Sequence, residues 1–379
     1  MDATTKTELL ELADKLKDLD TGVLNSVIGF DGFVDEVVHV VKKRIDPENY
    51  TRVLTLTEYG RRIAETSGLS SNVEIVTISK KLGGNGPILA NALIECGVNM
   101  TYLGAIGYPD VNAVFTDMAA RCGQVYPICE PASTDAMEFE DGKIIRVKLS
   151  PFRDLNMETL EQRVGFEELA ALLDSAQLIG FENWALPPYS GQIWQGIYEH
   201  VLPLMKSDIS KKTLFFDLAD PASRQEEELR RVLETIGAYA KRFRVILGLN
   251  LREAVQVAAL FGGAFETSGC DLEALARYIR RFVEVQTLVI HPVKESCCLA
   301  DGVFYHRVGP FCANPRLTTG AGDNFNAGFV LGMSLGLEPA DALLLGMAAS
   351  GFYVRNARSG NFKELQNFLG RWAASELDQ

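Results

Sequence analysis

The sequence predicts an α/β protein built around a mainly parallel sheet. Two observations carry that reading. Apolar runs of strand length alternate with stretches of helical periodicity along most of the 379 residues. Two regions, 36–80 and 122–150, interrupt this rhythm with β-branched residues and turn signals. They are read as extra strands, either standing off the main sheet as a lid or lying at its edge.

Taken in order, the first 20 residues form an amphipathic surface helix whose apolar face is Leu9, Leu10, Leu12 and Leu16. A strand follows over 23–30. After the first interruption, PILANALIECG (87–97) is a helix stopped at Gly97, followed by a strand over 100–106. Within the second interruption, Asp141-Gly142 between two strand-like runs signals a hairpin. Strands over 176–182 and 213–219 come next, then a helix over 224–242 and a strand over 243–249. Helices over 251–263 and 271–285 precede a strand over 287–293. Phe325, Phe329 and Met333 then keep helical spacing, and Gly336 and Pro339 mark the end of that helix and the start of another. The chain shows no repeat of 20–50 residues.

Composition narrows the function classes. The length allows one large domain or two. A net charge of −13 argues against nucleic acid as a partner, because phosphate-backbone binding needs a basic surface. No apolar run reaches the roughly 18 residues of a membrane span. The N-terminus lacks the basic-then-apolar pattern of a secretory signal, so a cytoplasmic chain is expected. Seven cysteines without a CxxC pair read as reduced thiols, and four scattered histidines form no HExxH site.

Four stretches carry candidate chemistry. In TTGAGDNFNAGF (318–329), Gly320 and Gly322 allow a tight turn into a helix whose free N–H groups and positive dipole end make an anion site. Asp323 falls in the first helical turn, where the dipole should keep it ionised and ready to accept a proton from a hydroxyl. The plainer alternative is a glycine-rich helix start with a dipole-stabilising aspartate. In KLGGNG (81–86), Gly83, Gly84 and Asn85 would bring backbone N–H groups and an amide close to a polyhydroxylated ligand, or would serve turn geometry alone. The NLRE stretch puts Asn250 and Glu253 on one helix face after a strand, suited either to Mg²⁺ waters and phosphate oxygens or to a capping box. In VIGFDGFVDEV (27–37), Asp31 and Asp35 could accept sugar hydroxyls or act as turn residues. Neither a GxGxxG fingerprint nor a Walker A pattern is present, which argues against an NAD(P) enzyme and a P-loop enzyme.

In this order the four stretches resemble the ribokinase-like carbohydrate kinases, the phosphofructokinase-B-type family, over about residues 25–360. The resemblance implies a single kinase domain of three α/β/α layers with a mainly parallel central sheet. Residues 36–80 and 122–150 would be a small β-sheet lid. It implies transfer of the γ-phosphoryl group of ATP, with Mg²⁺, to a hydroxyl of a small sugar or sugar-like molecule. Asp323 would be the catalytic base, and Gly320, Ala321 and Gly322 the anion hole. Asn250, Glu253, Thr319 and Lys294 would serve the nucleotide and Mg²⁺, with no side chain assigned as a direct metal ligand. Asp35, Asp31, Gly83, Gly84, Asn85 and Glu182 would hold the substrate, and the lid could pair two subunits into a homodimer.

The chain also departs from the family pattern. Leu317 stands where an aspartate linked to monovalent-cation binding is common, which argues against K⁺ activation. Ile88 replaces a frequent asparagine, and HPVKES (291–296) replaces a glycine-containing turn beside the nucleotide. The spacing of GFDGFVDE is closer to that of the ADP-dependent sugar kinases. ADP as donor, a nucleoside acceptor stacked near Phe30, Phe33 and Trp184, and a catalytically silent sensor on a kinase fold therefore stay open as alternatives.

Overall fold

The computed structural model describes residues 3–377. Its strands are β1 (Asn25–Gly29), β2 (Phe33–Arg44), β3 (Tyr50–Arg52), β4 (Ile75–Gly83), β5 (Asn99–Gly104), β6 (Gln124–Pro127) and β7 (Ala132–Phe139). They continue with β8 (Gly142–Lys148), β9 (Leu178–Phe181), β10 (Thr213–Asp217), β11 (Arg244–Leu249), β12 (Thr287–Ile290), β13 (Glu295–Ala300) and β14 (Val303–Val308). Nine of them form one sheet in the order β14-β13-β12-β11-β10-β9-β1-β5-β6. Every pairing from β6 through to β12 is parallel, and only the pairings of β13 with β12 and with β14, at one edge, are antiparallel.

The strands are buried on both faces because both faces carry helices. On β10, Leu214 and Phe216 point to one core while Phe215 points to the other, and Val245, Ile246 and Leu247 alternate in the same way on β11. Helices Phe166–Ser175, Glu226–Ala240, Leu251–Leu260 and Leu272–Arg280 cover the first face. Helices Ala3–Lys15, Asn85–Glu95, Ala321–Ser334, Pro339–Asn356 and Phe362–Ala373 cover the second. Each fully buried Leu or Phe contributes about 1.5–3 kcal/mol. The three-layer α/β/α sandwich expected from the sequence is present.

The interrupting regions form a separate, smaller sheet in the order β3-β2-β7-β8, with β4 also paired to β2. Its two faces differ through strict alternation. Val38 and Val40 of β2 and Met137 and Phe139 of β7 make a small core with Val53, covered by Leu56 and Tyr59 of the helix Leu56–Glu65. Phe33, Asp35 and Val37, with Thr134, Ala136 and Glu138, line a cavity on the opposite face. The hairpin signal at 141–142 is realised, since β7 and β8 pair antiparallel with Phe139 opposite Gly142. Asp141 Oδ1 also accepts the Leu56 N–H at 2.7 Å, tying that turn to the covering helix.

Three expectations need correction. Residues 124–127 belong to the main sheet, because β6 pairs parallel with β5. The region 36–80 contains the helix Leu56–Glu65 as well as strands, since its small sheet needs something to cover its apolar face. In the N-terminal helix, Leu9, Leu12 and Leu16 are buried but Leu10 is 49% exposed, so the apolar stripe is narrower than the leucine run.

Candidate active site

Strand β1 is flanked by β9 and β5, so chain order reverses there, and side chains just beyond the carboxyl ends of β1, β9 and β10 converge on one crevice. Asp31, Glu182 and Asp217 come from these ends, and all three are buried. The helix Ala321–Ser334 points its N-terminus at the same place. Its N-cap is Gly320, held at φ +91°, and a Cβ there would sit 2.8 Å from Tyr353 Oη. Asp323 follows in the first turn, and its Oδ1 accepts the Asn85 Nδ2 at 2.9 Å.

The turn 318–323 separates two cavities. One, of about 340 Å³, lies under the small sheet and is bounded by Thr319, Gly320 and Asp323, by Gly84 and Asn85, and by Asp35, Thr134 and Asn183. The other, of about 240 Å³, is largely apolar and is bounded by Thr318, Ala321 and Gly322 with His291, Val293, Phe311, Phe325 and Met347. A molecule in each could meet across the two glycines.

Burial governs the electrostatics. Asp323 is pushed well above the usual carboxylate range by burial, then by the Asp217 and Asp31 carboxylates, with the Asn85 hydrogen bond opposing. Burial and like charge thus oppose the helix dipole, which favours the carboxylate form. Asp217 is raised chiefly by burial, against the Ala219 N–H and the Asn326 amide that it accepts. Glu182 is raised by burial and by Asp217 and Asp323, and both its carboxyl oxygens are buried without a hydrogen-bond partner among the described residues. His291 is held down at about 4 by burial, so its ring is neutral, and it lies 4.9 Å from the Phe325 ring.

The sequence candidates fall into different places. Asp35 faces the cavity under the small sheet, accepting from Thr134 Oγ1 at 2.7 Å, and a Cβ at Gly83 would run into its carboxylate at 2.3 Å. Asp31 instead faces the N-terminus of the helix Asn85–Glu95, accepting the N–H groups of Asn85 (3.0 Å) and Gly86 (2.9 Å) and the Asn183 amide (2.7 Å). Asn250 and Glu253 form the capping box. The Glu253 N–H donates to Asn250 Oδ1 at 3.0 Å, and the Asn250 N–H donates to Glu253 Oε2 at 2.9 Å. Glu253 is nonetheless buried close to Asp217 and Asp323, whose charges push it upward after burial itself. Thr319 lies on the small-sheet side of the turn. Lys294 stacks its ammonium 5.0 Å from the centre of the Phe311 ring, behind the apolar cavity. Leu317 and Ile88 line the cavity under the small sheet, and His291, Pro292, Val293 and Glu295 line the apolar one.

Sequence reasoning passed over Asp217, Asn183 and the small-sheet residues Thr134, Glu138 and Lys143. Asp217 is the last residue of a buried strand and Asn183 lies two residues past the end of another, so the rule that open α/β sheets bind at strand carboxyl ends was the available signal.

The family model for prokaryotic ketohexokinase matches residues 1–372. The chain belongs to that family. It is a carbohydrate kinase, a phosphotransferase with an alcohol group as acceptor, on the ribokinase-like fold. The ketohexokinase of Haloferax volcanii is 29% identical over 346 residues, covering 90% of each chain. Among solved structures, the ribokinase of Thermotoga maritima superposes with a TM-score of 0.62 at 16% identity, covering 91% of this chain and 99% of its own. The Arabidopsis thaliana ribokinase complexed with ribose and ATP gives 0.64 at 14% identity, with 91% and 98% covered. Among the described residues no helix is long and apolar enough to cross a membrane.

Proposed function

We propose that this kinase transfers the γ-phosphoryl group of ATP to a hydroxyl of a ketohexose, with Mg²⁺. One observation carries the reading: the two cavities meet across the turn 318–323, with Asp323 on one side and Ala321 and Gly322 on the other. In-line transfer needs that division, with acceptor and donor approaching one anion hole from opposite sides. The apolar cavity suits a nucleobase. The cavity under the small sheet offers Asp35, Asn85, Thr134 and Asn183 to sugar hydroxyls, and the small sheet serves as its lid. The family relationship to ketohexokinases supports the choice of sugar.

In this mechanism Asp323 accepts the proton of the attacking hydroxyl while Asn85 fixes its carboxyl. The Ala321 N–H is already donated to the Thr318 carbonyl at 3.1 Å, so the anion hole rests on the amides of Gly320 and Gly322 and on the helix dipole. Asp31 acts at one remove, by seating the helix that presents Asn85. The buried carboxyls fit Mg²⁺ held through water. Among the described residues no three side chains form a direct ligand group, yet Glu182 has two bare oxygens beside Asp217 and Asp323 that a hydration shell would satisfy. Mg²⁺, when bound, neutralises the donor phosphates. Asn250 and Glu253 keep this cluster in place through their helix cap. The test is mass-spectrometric detection of phosphorylated product with ATP or ADP against ketohexoses, aldoses, polyols and nucleosides. Product from ATP and a ketohexose supports the reading, and product from another pair alone replaces it.

A further inference from the structure

One stretch bounding the cavity under the small sheet is neither strand nor helix. Between Phe181, the last residue of β9, and the helix Ser190–Gly196, an irregular loop puts Asn183 and Leu186 against that cavity. Asn183 is fully buried at φ +55°, a left-handed conformation that asparagine tolerates better than most residues. Its amide is engaged at both ends. Nδ2 donates to Asp31 Oδ2 at 2.7 Å, and Oδ1 accepts the Leu186 N–H at 3.2 Å. A primary amide has two N–H groups and two lone pairs, so each end keeps one position for an acceptor hydroxyl.

The backbone of this loop is short of donors. The N–H groups of Trp184 and Ala185 go to the Asp217 and Leu218 carbonyls, at 3.2 and 3.0 Å, and Pro187 and Pro188 have none to offer. Arg224 makes up the deficit from a segment 36 to 40 positions away in sequence. Its Nε donates to the Ala185 carbonyl at 2.9 Å and its Nη1 to that of Pro188 at 3.2 Å. Nη2 donates to the carbonyls of Pro187 at 2.6 Å and Trp184 at 3.2 Å. The guanidinium also lies 5.2 Å from the centre of the Trp184 ring. Four carbonyls spread around one side chain suit the rigid five-donor fork of arginine, and a lysine ammonium has only three donors.

Resting on the proposed transfer to a sugar, we propose that Arg224 is a positioning residue for the acceptor. By clamping the carbonyls of 184–188 it holds Asn183 and Leu186 in place, and through them it sets how tightly the sugar is bound. Arg224 lines neither cavity, so it touches neither the sugar nor the donor nucleotide. Its effect is therefore confined to the sugar side, because the loop it clamps borders only the cavity under the small sheet.

The test measures kcat and the KM values for ketohexose and ATP in wild type, Arg224→Met, Arg224→Lys, Asn183→Gly and the double variant Asn183→Gly/Arg224→Met. Glycine at 183 removes the amide while keeping the positive φ. Arg224→Met should raise the ketohexose KM about tenfold, the order of one lost hydrogen bond. Its kcat and its KM for ATP should stay within about threefold of wild type. Arg224→Lys, which keeps the charge but reaches fewer carbonyls, should raise the ketohexose KM about threefold. In the Asn183→Gly background Arg224→Met should add less than about twofold, because the amide it positions is already gone. A purely structural arginine would lower the urea midpoint and leave the ketohexose KM and this non-additivity unmoved. The proposal is overturned if Arg224→Met keeps the wild-type ketohexose KM, if both KM values rise alike, or if the full effect persists without Asn183. Should Arg224→Met fail to fold, an unchanged ketohexose KM in Arg224→Lys overturns it instead. Absence of transfer by wild type refutes the kinase reading, whereas an active wild type with an unaffected Arg224→Met refutes only the role of Arg224.

Discussion

Asp31→Asn separates two effects that the structure places on one side chain. The carboxyl is fully buried, and burial raises it from the ordinary 3.8 to about 6 despite the N–H groups it accepts. An acid raised in the folded state holds its proton longer there than in the unfolded chain. Its stabilising contribution is therefore complete below about pH 4 and lost as pH climbs through about 6. At about 1.4 kcal/mol for each unit, the loss comes to about 3 kcal/mol. Asparagine does not titrate, so the variant escapes that loss. It has one acceptor oxygen where Asp31 uses two, and its amide must face the N–H of Asn85 or Gly86. That mismatch costs about 1–3 kcal/mol at any pH. Urea unfolding of both proteins at pH 4 and pH 7.5 should show the variant weaker by about 1–3 kcal/mol at pH 4, with the gap closed or reversed at pH 7.5. An equal gap at both values would refute the account of Asp31.

Two further predictions concern the turn and the apolar cavity. Gly320→Ala should lower stability by about 1–2 kcal/mol, because φ +91° is left-handed and the new methyl meets Tyr353 Oη. Gly322→Ala should cost less in thermal shift assays, since its nearest new contact is His291 Cε1 at 3.3 Å. Ser350→Phe should fill the apolar cavity and weaken nucleotide binding about tenfold or more by calorimetry, with ketohexose binding unchanged. A change in sugar affinity instead would reverse the assignment of the two cavities.

Much of the fold was legible because burial on both faces writes long apolar runs. The six strands expected from 23–30 to 287–293 all appear in the main sheet, with ends shifted by a few residues. The antiparallel edge pair β13 and β14 was not expected, although Asp301-Gly302 between ESCCLA and VFYHRV is the same hairpin signal as Asp141-Gly142 and both residues take positive φ there. The small sheet was visible as a composition shift, but its border was not. Residues 124–127 carry the same β-branched signal as β7 and β8, and only pairing with β5 assigns them. At the site, GAGD and GGN announced themselves through glycines the backbone requires. Asp217 looked like any strand-terminal aspartate, and Lys143 like any hairpin lysine. Their positions depend on partners such as Asn326 and Thr319, more than 100 residues away. The forces that oppose the dipole at Asp323 were hidden for the same reason: the helix dipole is local and readable, while the carboxylates that oppose it arrive from other strands.

The most direct test of the central claim is turnover by Asp323→Asn beside wild type, with ATP, Mg²⁺ and a ketohexose, together with nucleotide binding by both proteins. The account predicts that wild type makes sugar phosphate, and that Asp323→Asn loses about a thousandfold or more in kcat while still binding nucleotide and melting no lower. Turnover by Asp323→Asn close to wild type would contradict it.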